Sequence, residues 1–108
     1  MASESELIAA LTAVFKLSDS NVLENVLIGI GDDGAVIAPS SHKSVLAADM
    51  AVEGVHFNRN WSTLHEIGAK ITAANLADVY AMGGDPKYLL VSAGLTADFG
   101  IAEITELA

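Results

Sequence analysis

A chain of 108 residues fits one domain by length, and with 52% apolar residues it has the material for a core of its own. Fourteen acidic side chains against five basic ones leave a formal charge of −9, and the cations Lys16, Lys43, Arg59, Lys70 and Lys87 are scattered; this argues against nucleic acid or an anionic membrane as partner. The absence of cysteine excludes disulfides and thiolate metal sites, and with no long apolar run and no basic leader region the expected location is cytoplasmic.

Ser3 and Glu6 have capping-box spacing, and Leu7, Ile8, Leu11, Val14 and Phe15 follow at one-face intervals, predicting an amphipathic helix over about residues 4 to 16. Ser18-Asp19-Ser20-Asn21 reads as a turn. Val26 to Ile30 is a first strand and Ala35 to Ala38 a second, stopped by Pro39. Between them lies Gly31-Asp32-Asp33-Gly34-Ala35. Two adjacent carboxylates on a tight loop suit Mg²⁺, which is held by one or two carboxylates together with substrate phosphates. Asp-Gly between apolar runs is equally a hairpin signal that needs no ligand. Any phosphorylated ligand of so acidic a chain would need divalent metal to mediate.

Ser44 to Met50 is expected as a third strand, with Asp49 at the end of its apolar run. That acid is either a solvated strand end or one paired with a cation. Val52 to Phe57 follows as an irregular or bulged strand in which Gly54 permits an unusual backbone angle, leaving Glu53 and His56 as candidates for pointing at a ligand. A lone histidine among apolar neighbours is more often a hydrogen-bonded structural residue.

Ser62 or Thr63 opens the longest helix, which runs to about Met82 and is closed by Gly83-Gly84 and Pro86. Leu64, Ile67, Ile71, Ala74 and Met82 fall within an arc of about 80°, the face a helix buries. Asn75 and Asp78 share that face, while Glu66 and Lys70 point to water. A carboxylate in an apolar stripe needs a cation, a strong hydrogen-bond partner or an opening to solvent. Metal is the favoured reading, since Asp33 and Asp49 also end apolar elements; capping of a neighbouring loop is the other. Lys87 to Leu95 is a further strand with Leu89, Leu90 and Val91 buried, and Asp98 caps a terminal helix carrying Ile101, Ile104 and Leu107. The class is α+β: a small mixed or antiparallel sheet with helices packed on one face, the other face left for pairing in a dimer.

Gly29-Ile-Gly-Asp-Asp-Gly-Ala35, Asp49-Met-Ala-Val-Glu-Gly-Val-His-Phe57 and Asn75-Leu-Ala-Asp-Val-Tyr-Ala-Met-Gly-Gly-Asp-Pro86 together resemble the N-terminal domain of the thiamine-monophosphate kinase family, in the aminoimidazole ribonucleotide synthetase-like superfamily. The resemblance implies a transferase of thiamine biosynthesis that phosphorylates thiamine monophosphate to the diphosphate with ATP and Mg²⁺ by direct transfer, with no protein nucleophile. It implies Asp33, Asp49 and Asp78 as metal ligands, Asp32 as a supporting acid, His56 as a substrate contact, and a homodimer joined through its sheets. Residues 1–108 would form the N-terminal ATP- and Mg-binding and dimerisation domain, the family's C-terminal domain being absent. No G-x-x-x-x-G-K-[ST] segment is present, so metal ions would replace the phosphate-binding loop. Ala47, Ala48 and Ala77 stand where the family usually has hydroxyls near its acids, which leaves two alternatives: a non-catalytic dimerisation or nucleotide-binding module of the same fold, and a related ATP-using synthetase.

Overall fold

The computed structural model describes residues 1–18 and 25–108, so the turn expected at Ser18 to Asn21 lies, apart from Ser18, outside the described residues. Its elements are α1 (Glu4–Ser18), β1 (Val26–Ile28), β2 (Val36–Ile37), β3 (Met50–Val52), α2 (Leu64–Ala81), β4 (Ser92–Gly94) and α3 (Ile101–Leu107). The class is α+β, as expected, but the strands form two small sheets instead of one: an antiparallel β1–β2 pair and a parallel β3–β4 pair. The described residues group into two compact units, one of residues 1–42, 99–106 and 108, the other of residues 43–98 and 107.

In the first unit, α1 is capped as its sequence requires. The Ser3 N–H donates to Glu6 Oε2 at 2.7 Å and the Glu6 N–H to Ser3 Oγ at 3.4 Å, satisfying two backbone donors that the first turn leaves open. β1 and β2 form a hairpin whose register slips by one residue between Val26 and Ile28. Leu27, Ile28, Val36 and Ile37 are exposed. Phe99 and Ile104 are the buried side chains here among the described residues.

The second unit is a strand, helix, strand succession. A parallel pair cannot be closed by a tight turn, and α2 makes the crossover from β3 to β4. α2 starts on a capping box in which the Glu66 N–H donates to Thr63 Oγ1 and the Thr63 N–H to Glu66 Oε2. It ends where Gly83 takes φ of 76°, a conformation that disfavours any side chain. Ala51, Phe57 and Ile67 form the core, with Leu64, Ile71, Leu95 and Leu107 packed against it. Gly68 allows the closest approach: a Cβ there would lie 1.9 Å from the Leu107 carbonyl oxygen.

Several expectations need correction in this unit. Residues 44–49 are not a strand; pairing begins at Met50, opposite Ser92. Leu89, Leu90 and Val91 are exposed; β4 starts only at Ser92, and no strand among the described residues pairs with the residues before it. Along α2 the apolar stripe is covered at Leu64, Ile67 and Ile71, but Ala74, Asp78 and Met82 are exposed, so Asp78 does not lie in a buried stripe. Asp98 does not cap α3: the Gly100 N–H is satisfied by Glu103 Oε2 at 3.0 Å, and Asp98 is engaged elsewhere. No helix of the described residues is long and apolar enough to cross a membrane.

Candidate functional site

Asp49 is the residue before β3, and Asp78 lies on the last turns of α2. A crossover helix runs back past the strand it left, so the end of α2 returns to the start of β3. Asn75 makes the junction. Its Oδ1 accepts from the Asp49 N–H at 3.3 Å, and its Nδ2 donates to the Ile71 carbonyl at 3.0 Å. Asn75 is only 6% exposed, and it is the buried polar side chain of the described core.

Three residues beyond Asn75, on the same helix face, Asp78 meets the Asp49 carboxylate. Hydrogen bonding to Asp49 and then repulsion by its charge raise the Asp78 carboxyl above its ordinary value, with a smaller contribution from desolvation. The feature that marks this acid is therefore a neighbouring carboxyl, first as a hydrogen-bond partner and then as a charge, not burial. Neither acid takes part in an ion pair among the described residues. Two cations of this unit are engaged elsewhere: the Lys70 ammonium donates to the His56 carbonyl at 2.9 Å, and Arg59 pairs with Glu53 and Asp98.

His56 sits in a tight turn after β3. Gly54 has φ of 83°, its N–H donates to the Phe57 carbonyl at 2.8 Å, and Glu53 bridges to Phe57. The His56 Nδ1 accepts from the Val52 N–H at 2.9 Å, which assigns the ring proton to Nε2. Asp49, His56 and Asn75 line one cavity of about 230 Å³, floored by Ala51 and Ile71. An acid and a histidine thus line the same small space.

The hairpin acids are placed differently. Asp32 and Asp33 occupy the exposed loop between β1 and β2, in the other unit, and the Asp33 N–H donates to Asp32 Oδ1 at 2.9 Å. This is the local hairpin of the sequence pattern, with the acid ordering its own turn. Among the described residues no group of three or more histidine, aspartate or glutamate side chains is gathered as a metal cage; of Asp33, Asp49 and Asp78, the two brought together are Asp49 and Asp78. That pair fits Mg²⁺ by its chemistry: two hard oxygen donors, exposed, and in no ion pair among the described residues.

Glu53 is not available to a ligand in the way its sequence position suggested. Arg59 Nε donates to Glu53 Oε1 at 2.5 Å, while its NH2 group donates to Asp98 Oδ2 at 2.9 Å and to Thr96 Oγ1 at 3.1 Å. The Thr96 hydroxyl also contacts Glu53 Oε2 at 2.9 Å and Asp98 Oδ1 at 2.5 Å. This cluster joins the loops that follow β3 and β4. The separation of Arg59 from Thr96 and Asp98 along the chain gave no sequence signal for it.

The chain belongs to the family described as AIR synthase related protein, N-terminal domain, whose profile matches residues 31–107. More particularly, it is similar to curated thiamine-monophosphate kinases. It is 37% identical to that of Mycobacterium tuberculosis over 82 residues, covering 76% of this chain and 25% of the relative. It is 40% identical to that of Bacillus subtilis over 81 residues, covering 74% and 25%, and 39% identical to that of Aquifex aeolicus over 75 residues, covering 69% and 24%. The chain thus matches about a quarter of the length of these relatives. No solved structure gives a significant match.

Proposed function

We propose that this chain is the metal- and nucleotide-binding portion of an ATP-dependent thiamine-monophosphate kinase. The observation that carries the reading is the interaction between Asp49 and Asp78, two carboxyl groups that take part in no ion pair among the described residues. Like charges in contact are tolerated when a proton or a metal ion is shared, and oxygen donors of this kind select Mg²⁺. Bound by Asp49 and Asp78, Mg²⁺ would link the chain to the phosphates of ATP and neutralise charge during transfer. Asp33, with Asp32 supporting it, is a further metal ligand in this reading. The His56 Nε2–H offers a donor to an oxygen of thiamine monophosphate at the cavity wall, while the Lys70 bond to its carbonyl holds the turn in place. Transfer then depends on positioning and charge, and no protein nucleophile is required. The exposed apolar side chains of the β1–β2 hairpin support pairing with a second copy in a cytoplasmic homodimer.

Mg²⁺ with a non-hydrolysable ATP analogue should shift the amide signals of residues 31–35, 49 and 78, and Asp78→Asn should abolish the shifts at 49 and 78. Unchanged spectra at saturating metal and nucleotide would remove the reading.

A further inference from the structure

Asp49 and Asp78 come from distant parts of the chain, so whatever ties the backbone of one to the helix of the other governs how their carboxylates stand. β-Pairing does not reach Asp49: the ladder starts at Met50, and the Asp49 N–H is bonded to a side chain instead. That side chain is Asn75, buried, rooted in α2 one turn before Asp78, and using both ends of its carboxamide. Donation from Nδ2 to the Ile71 carbonyl fixes the amide so that Oδ1 faces Asp49.

We propose that Asn75 is a positioning residue that sets the separation of the Asp49 and Asp78 carboxylates for a divalent cation; this rests on the metal-binding reading above. Asn75 is not itself a ligand in this role, because its oxygen is occupied by the Asp49 N–H. The requirement is narrow. Leucine fills a similar volume but makes neither bond, aspartate has no N–H for the Ile71 carbonyl, and glutamine is one methylene too long for the same junction. Outer residues that orient ligands commonly change metal affinity by about 10- to 100-fold when replaced.

The test uses Mn²⁺ in place of Mg²⁺, with a non-hydrolysable ATP analogue and the full chain, and reads the bound ion by electron paramagnetic resonance. Asn75→Leu should weaken Mn²⁺ binding about tenfold while helicity and the amide signals of Ile67 and Phe99 stay native, since the variant keeps the buried volume. A merely structural role for Asn75 would move the melting temperature and leave Mn²⁺ affinity alone. Unchanged affinity in folded Asn75→Leu overturns the proposal. Should that variant not fold, hydrogen exchange in the unaltered metal-free chain decides: the Asp49 amide should be protected, and exchange at the open-chain rate overturns the proposal equally. Asp78→Asn separates the two layers. If it loses Mn²⁺ while Asn75→Leu keeps it, the positioning role alone falls; if it keeps Mn²⁺, the metal-binding reading falls and takes the positioning role with it.

Discussion

The hairpin loop and the β3–α2 junction both present aspartates, yet they are built on opposite terms. In the loop, Asp32 and Asp33 follow one another in sequence, and a backbone N–H of one satisfies the carboxylate of the other. At the junction, Asp49 and Asp78 come from distant parts of the chain and meet as like charges, with Asn75 holding the backbone of one against the helix of the other. A turn whose backbone satisfies one of its acids, Asp32, needs no ligand to exist. A junction that forces acids together gains from one.

The comparison breaks most sharply under charge removal. Asp49→Asn or Asp78→Asn should reduce Mn²⁺ binding by at least about 100-fold, and Asp33→Asn by less, as measured by titration calorimetry with the nucleotide analogue. An equal loss from Asp33→Asn would place the hairpin loop on the same footing as the junction.

Stability should divide between the two regions in the same way. Ile67 is 2% exposed and central to the core beneath the junction, so Ile67→Ala should cost about 3 kcal/mol in urea unfolding. Ile37 of the hairpin is 41% exposed, and Ile37→Ala should cost less than about 1 kcal/mol in the same experiment. Thr63→Ala, which removes the cap at the start of α2, should cost about 1 kcal/mol.

The smallest effects are those of pH, and two acids of the second unit should slope in opposite directions. Asp98 is held below its ordinary value by hydrogen bonds from Thr96 and then Arg59. Its contribution to stability is present above the unfolded-state value and is lost as pH falls through the lowered folded value. Asp78 is raised by Asp49, so its contribution is present at low pH and is lost as pH rises through the raised folded value. Asp98→Asn should therefore flatten the acid side of a melting-temperature profile, and Asp78→Asn should raise the metal-free melting temperature above that range.

The helices were legible because their hydrogen bonds are local. Ser3 with Glu6, Thr63 with Glu66, and Gly83 name their own helix ends; α1 begins, and α2 begins and ends, within a residue or two of those signals. Strands were less legible, since residues 44–49 and 89–91 have strand composition but find no partner among the described residues. Periodicity placed Asp78 on the apolar face of α2; whether that face is covered depends on what packs there, and the cover ends after Asn75. The acid was singled out for a reason that the fold replaces, desolvation giving way to its neighbour Asp49. Asn75 showed itself only as a polar residue on that face, because its partner lies 26 positions away.

The Arg59 cluster carries a consequence in its count of hydrogens. The Thr96 hydroxyl has one proton to give and stands against two carboxylates, Glu53 and Asp98, so the guanidinium's several N–H groups make up the shortfall for both. A lysine at position 59 would keep the charge but lose the planar fork that reaches both acids, leaving two anions to compete for a single threonine proton.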